Sequence, residues 1–232
     1  MALQRAAIYG GTFDPVHKGH VEVARTVLRL FELDEVLFVP ACVPPHKRNA
    51  NVTSPFHRFA MLSLATEDDA QLRISTSDLD VPEKPYAVET VARIRAEVGN
   101  ETELFFLMGA DSWLEITSWH DWRRLMELCH FIIMTRPGYE LGPTRPGYES
   151  GLDAWAEMPI PVVNVRGIGC RQWDIMRMRH QSPHAFVTDA VMMDISASAI
   201  RAAARAGQSQ RLRELVPAAV ANYIEKYELY KN

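Results

Sequence analysis

Short apolar runs rich in β-forming residues, Ala6 to Tyr9, Glu35 to Val39, Gln71 to Ser75, Leu104 to Met108 and Phe131 to Met134, alternate with longer segments of helical period. A helix between successive strands carries the chain back to the same end of a sheet, so this alternation predicts parallel β-α-β units. Helices are expected at about Lys18 to Phe31, at Pro55 to Thr66 with Ser54 as cap and Pro55 at the first position, and at Ala87 to Val98. They would pack on the sheet faces.

From Arg136 to roughly His184 the pattern loosens, and Pro137 to Gly151 is dense in proline and glycine, which reads as a mobile loop. Thr135-Arg-Pro-Gly-Tyr-Glu140 recurs there as Thr144-Arg-Pro-Gly-Tyr-Glu149, a repeat that nine-residue slippage accounts for. Beyond it, Ile195-Ser196-Ala197-Ser198 leads into the alanine-rich Ala199 to Ala206, and Pro217 opens a final amphipathic helix through Tyr230. The expected fold is therefore α/β, a doubly wound Rossmann-like parallel sheet with a small C-terminal helical cap. Residues 1–190 would form the α/β domain, with a loop or insertion at about 136–184, and residues 191–232 the helical part of the same domain.

Composition narrows the partners. With 232 residues, 47% of them hydrophobic, the chain can bury a substantial core. A formal net charge of −4 opposes broad nucleic-acid binding, which needs a basic surface to displace counterions. The stretch Ala6 to Tyr9 is too short for a signal-peptide core and no later run approaches bilayer length, so a cytoplasmic protein without a membrane partner is expected. Cys42, Cys129 and Cys170 are odd in number and lack CxxC spacing, so buried or semi-buried free thiols are expected rather than disulfides or a thiolate zinc site.

Two constellations carry chemistry. A strand ending in Gly10-Gly11 lets a phosphate approach the backbone, because glycine puts no side chain in the way. Asp14-Pro15 then precedes a helix beginning near Lys18, whose open N–H groups and dipole favour an anion. His17 and His20 share one face of its first turn, and His20 is in register with Ala24, Val27 and Phe31, so its ring should point inward. Two imidazoles beside such a turn can donate to phosphate oxygens and stabilise charge built up in transfer. A metal reading wants further ligands at suitable spacing, which the sequence lacks, so no metal site is expected; histidines satisfied within the fold remain the structural alternative.

Near the C-terminus, Ser196 can cap the following helix while Ser198 and Arg201 share a face of its first turns. A hydroxyl, a guanidinium and open N–H groups there suit the terminal phosphates of a nucleoside triphosphate, the alternative being an ordinary capped surface helix.

Gly10-Gly11-Thr12-Phe13-Asp14-Pro15-Val16-His17-Lys18-Gly19-His20 resembles the GGTFDPxHxGH signature of bacterial nicotinate-nucleotide adenylyltransferases, within the HxGH nucleotidyltransferases. Ile195-Ser196-Ala197-Ser198-Ala199-Ile200-Arg201 is similar to that family's ISSTxIR motif, with Ala197 for its second serine and Ser198 for threonine. Val43-Pro44-Pro45-His46-Lys47 resembles its PPHK element, Gly109-Ala110-Asp111-Ser112 its GxDS turn, Ser118-Trp119-His120 its ring-covering aromatic element, and Arg136-Pro137-Gly138 its RPG element. Pro85-Tyr86-Ala87 matches its SYT region with Ala87 in place of threonine; Cys42 stands where asparagine is frequent and His120 where tyrosine is more usual.

The resemblance implies transfer of the adenylyl group of ATP to nicotinate mononucleotide. It gives catalytic roles to His17, His20, Lys47 and Arg201. ATP would be held by Gly10, Gly11, Thr12, Phe13, Gly109, Asp111, Arg136, Ile195, Ser196 and Ser198, and the mononucleotide by His46, Tyr86, Ala87, Trp119 and His120. Trp119 could stack on the pyridinium, and N–H groups of a helix starting near Ser118 could receive the ring's carboxylate. Mg²⁺ would ride on the triphosphate rather than in a carboxylate cage. Another HxGH adenylyltransferase, with nicotinamide mononucleotide or phosphopantetheine as acceptor, and a non-catalytic nucleotide-binding regulator are the competing readings. Oligomeric state stays open, a homo-oligomer included.

Overall fold

The computed structural model describes residues 4–42, 52–80, 85–135, 158–166, 182–189 and 195–231. His46, Lys47, Arg136, the repeat beyond Thr135 and Cys170 lie outside the described residues. In chain order the elements begin with β1 (Arg5–Gly11), α1 (Lys18–Leu30), β2 (Glu35–Pro40), α2 (Pro55–Thr66), β3 (Leu72–Ile74), α3 (Ala87–Val98) and β4 (Glu103–Gly109). There follow α4 (Ala110–Leu114), a 3-10 turn at Ile116–Ser118, α5 (Trp122–Leu128), β5 (His130–Met134), β6 (Val162–Asn164) and β7 (Ala185–Thr188). Helices α6 (Ala197–Arg205), α7 (Ser209–Leu215) and α8 (Ala218–Lys226) complete the described chain.

The strands form one seven-stranded parallel sheet in the order β3-β2-β1-β4-β5-β7-β6, the doubly wound α/β arrangement expected. By internal contacts the chain divides into two units: Met1–Ala7 with Tyr86–Met192, and Ile8–Pro85 with Met193–Asn232. Strand β1 begins in the first and ends in the second.

In the first unit β4, β5 and β7 are buried nearly throughout, which is why Leu104 to Met108 and Phe131 to Ile133 read as unbroken apolar runs. Their registers are in step: Phe105 faces His130, and Phe131 faces Ala185. Helix α3 packs Val88, Val91 and Ile94 inward and α5 packs Leu125 and Met126. Arg95 joins the ends of both, donating to the carbonyls of Leu128 at 2.9 Å and Thr102 at 2.6 Å. Edge strand β6 pairs with β7, so part of the stretch expected as loop between Arg136 and His184 is sheet. Three residues are too few for period 2 to register against noise.

In the second unit β2 pairs with β3, Val36 facing Leu72. Val21, Ala24, Val27 and Leu28 of α1 are buried, as are Met61 and Leu62 of α2, and Val220, Ala221 and Ile224 of α8, which packs on α2. Each of the valine, leucine, isoleucine and methionine side chains among them contributes roughly 1.5–3 kcal/mol by leaving water. Ser54 occupies the N-cap of α2, but its side chain makes no capping bond; the helix opens instead with the Arg58 N–H donating to the Ser54 carbonyl. Between the alanine-rich helix and the last one lies α7, unforeseen from sequence. Gly207, at φ 65°, ends α6 in a left-handed turn that glycine adopts without strain, with Gln208 N–H donating to the Ala203 carbonyl and Gly207 N–H to that of Ala204. The last helix stops at Lys226 rather than running to Tyr230, because Glu228 and Tyr230 both take left-handed backbone.

Cys42 and Cys129 are free thiols, and burial pushes the latter up to about 12. Among the described residues no helix is long and apolar enough to cross a membrane.

Candidate active site

The glycine turn closes β1 in the second unit. Phe13, in left-handed backbone at φ 48°, folds its ring back so that a Cβ on Gly11 would come within 2.8 Å of the ring tip; only glycine leaves room. That ring meets Tyr9, Phe38 and His20 edge-on, with centroids 5.4, 5.4 and 5.1 Å away. His20 therefore points inward as its helical register predicted, against Phe13 and Tyr9.

His17 is the N-cap of α1. Its ring stacks on His20 at 3.5 Å between centroids, and its backbone N–H donates to Nδ1 of His20 at 3.2 Å. With Nδ1 accepting, the neutral His20 ring carries its proton on Nε2. Burial holds His17 down to about 4, and burial together with the neighbouring His17 holds His20 well below the usual 6.5. Both rings are thus neutral donors near pH 7. Nδ1 of His17 is buried without a hydrogen-bond partner. Gly19 between them is closely packed: a Cβ there would lie 3.0 Å from that Nδ1.

The same Cβ would touch Ile195 at 3.8 Å, so the C-terminal motif lies against the start of α1. Ser196 caps α6 as predicted, its Oγ accepting from the Ala199 N–H at 3.3 Å and sharing a hydrogen bond with Ser198 Oγ at 3.1 Å. Arg201 donates from Nη1 to the Asp14 carbonyl at 2.7 Å. The second unit thereby assembles Gly10, Gly11, Thr12, Phe13, His17, His20, Ile195, Ser196, Ser198 and Arg201 around two helix starts that are about 180 residues apart in sequence.

Sequence reasoning missed what lies beneath them. Arg58 is fully buried and donates to three carbonyls, Thr12 at 2.7 Å, Thr53 at 2.9 Å and Cys42 at 3.0 Å. Asp14, 4% exposed, accepts from the Thr53 N–H at 3.2 Å and the Tyr230 hydroxyl at 2.8 Å. An arginine at an apolar position of α2 was the only signal available.

In the first unit Gly109 ends β4 and caps α4, with open space where a side chain would stand, and Asp111 sits exposed in that helix's first turn. The exposed rings of Tyr86 and His120 stack at 4.1 Å, Ala87 follows as the first residue of α3, and Trp119 meets Phe106 edge-on at 6.4 Å. One expectation is corrected here: no helix starts near Ser118. The 3-10 turn ends there, the N–H groups of Ser118 and Trp119 already donate to Glu115 and Ile116, and the next helix begins at Trp122 after Asp121 in left-handed backbone. The Ser118 and Trp119 amides are therefore not free to receive a carboxylate. Among the described residues no group of three or more His, Cys, Asp or Glu side chains gathers as a metal centre.

Comparison with known proteins agrees with this geometry. The profile of the cytidylyltransferase-like family matches residues 8–203. A probable nicotinate-nucleotide adenylyltransferase of a Geobacter species is 35% identical over 97% of this chain and 98% of its own. One from Geobacter sulfurreducens is likewise 35% identical, with the same coverage. In fold, the Plasmodium falciparum nicotinic acid mononucleotide adenylyltransferase complexed with NaAD superposes with a TM-score of 0.70 at 18% identity, over 98% of this chain and 97% of that one. Joined to the glycine turn, the stacked histidines and the serine-capped helix with its arginine, these matches place the chain in the cytidylyltransferase-like family, among the nicotinate-nucleotide adenylyltransferases.

Proposed function

We propose that the protein transfers the adenylyl group of ATP to nicotinate mononucleotide, releasing pyrophosphate and forming nicotinate adenine dinucleotide, a step of NAD biosynthesis. The observation that carries this reading is the apposition of two helix starts in the second unit, His17 and His20 on one and Ser196, Ser198 and Arg201 on the other. An acceptor phosphate oxygen attacks the α-phosphorus of ATP, the bond to the bridging oxygen of pyrophosphate breaks, and no covalent enzyme intermediate forms.

In this reading the backbone of Gly10, Gly11, Thr12 and Phe13 approaches the phosphates closely. His20, with its proton on Nε2, and His17 donate to the oxygens where charge grows, while Ser196, Ser198 and the remaining donors of Arg201 hold the leaving pyrophosphate. Ile195 supports the start of that helix, and Lys47 and Arg136 add positive charge. Gly109 and Asp111 serve the adenosine. Tyr86, Ala87, Trp119, His120 and His46 serve the mononucleotide, the exposed Tyr86–His120 stack offering its faces to a pyridine ring. Mg²⁺ enters with ATP, as part of the substrate.

Pyrophosphate release from ATP is measured with nicotinate mononucleotide, nicotinamide mononucleotide and phosphopantetheine in turn. Nicotinate mononucleotide should give the highest kcat/KM, and His20→Ala, still folded, should lose on the order of 100-fold or more. Equal efficiency on the two mononucleotides overturns the proposed preference, higher efficiency on phosphopantetheine overturns the acceptor, and no turnover with any of them overturns the reaction.

A further inference from the structure

Beyond α8 the chain does not trail away. Glu228 and Tyr230 hold left-handed backbone at φ 52° and 68°, a conformation that residues with a Cβ keep only where their surroundings impose it. Leu229 N–H is tied back to the Ile224 carbonyl at 3.0 Å. This turn delivers the Tyr230 hydroxyl to Asp14 Oδ1 at 2.8 Å. Asp14 is the fifth residue of the Gly10–Asp14 stretch and almost wholly buried, and its other two oxygens are also engaged: Oδ2 with the Thr53 N–H, the carbonyl with Arg201. Burial and the adjacent carboxylate push the Tyr230 phenol above its ordinary value, so it stays protonated and donates.

We propose that Tyr230 is a positioning residue for the adenylyl transfer assigned above: through Asp14 it fixes both the loop between the glycine turn and His17 and the carbonyl on which Arg201 is seated. The inference rests on that assigned reaction. The Tyr230 hydroxyl donates to Asp14, so its action is to hold Asp14 still. Losing the hydroxyl frees one carboxylate oxygen, lets the Asp14 peptide rotate, and moves Arg201 and the His17 end of the loop away from where charge develops. Displacements on that scale lower turnover far more than they lower ground-state binding.

Steady-state pyrophosphate release by the full chain is compared between wild type and Tyr230→Phe, which deletes one oxygen and keeps the ring. Both are assayed well below their melting temperatures. Wild-type turnover separates this proposal from the reaction itself: an inactive wild type overturns both, whereas an active one leaves the variant to decide. The expected result is a kcat lowered about tenfold or more with KM for ATP and for the mononucleotide each within about threefold. A merely structural role would lower the melting temperature and leave kcat of the folded protein alone. A kcat within twofold of wild type, or a loss carried by KM only, overturns the proposal. As a second variant, Tyr230→Ala should show a kcat no higher than Tyr230→Phe; full turnover by the folded alanine variant also overturns it.

Discussion

The His17 backbone N–H donates to Nδ1 of His20, and the two rings stack at 3.5 Å, so the cap of helix α1 and the inward-facing imidazole are a single unit. Its neutrality has a consequence for stability. His17 titrates near 4 when folded and at 6.5 when unfolded, so between these values the unfolded chain binds a proton that the folded one excludes. The stabilisation is complete above 6.5 and is lost as pH falls towards 4, by roughly 2 kcal/mol at pH 5 for His17, with His20 acting in the same direction. Urea midpoints at pH 7.5 and pH 5 should therefore fall more for wild type than for His17→Gln; an equal fall would mean that other groups drive the acid response.

Gly19→Ala sets two effects against each other. Alanine is favoured over glycine within a helix by about 0.5–1 kcal/mol, yet its Cβ would stand 3.0 Å from His17 Nδ1 and 3.2 Å from Cε1. The ring must give way by a few tenths of an ångström. Stability should change by less than about 1 kcal/mol in either direction, because the two terms are of similar size. Turnover should fall about tenfold, because the displaced ring is one that the proposed reaction sets against phosphate. Paired urea denaturation and steady-state kinetics check both halves.

Arg58→Met replaces a buried fork by a side chain of similar length that satisfies none of the carbonyls of Thr12, Thr53 and Cys42. A loss of at least 3 kcal/mol is expected from those buried acceptors. Arg58→Lys should recover only part of it, since one ammonium cannot reproduce the planar fork. Urea unfolding of both variants gives the comparison, and a Met variant as stable as wild type would refute it.

Tyr86→Ala removes one ring of the exposed Tyr86–His120 pair while leaving α3 to begin at Ala87. An aromatic contact of this kind contributes roughly 0.5–1.5 kcal/mol, so KM for the mononucleotide should rise up to about tenfold with KM for ATP unchanged. A change in both would place Tyr86 elsewhere in the reaction.

Local pattern carried far in this chain. The runs at Glu35 to Val39 and Leu104 to Met108 became β2 and β4 within a residue at each end, and Ala87 to Val98 became α3 without adjustment. Helix boundaries were legible where an apolar stripe runs for several turns. They failed at Ser118, where a single 3-10 turn and a seven-residue helix leave too little periodicity to tell an end from a beginning. In the site, Gly10 to His20 and Ser196 to Arg201 were readable because each is contiguous. Arg58 and the Asp14–Tyr230 pair were not, since nothing in the residues around position 230 records a partner 216 positions away.

Arg58 also decides which way the glycine turn presents its amides. In a trans peptide the carbonyl and the following N–H point in opposite directions. By drawing the Thr12 carbonyl down onto its guanidinium, this buried arginine turns the Phe13 N–H the other way, away from that guanidinium. A buried cation thus aims an uncharged donor of the turn proposed to approach phosphate, and it does so before any nucleotide arrives.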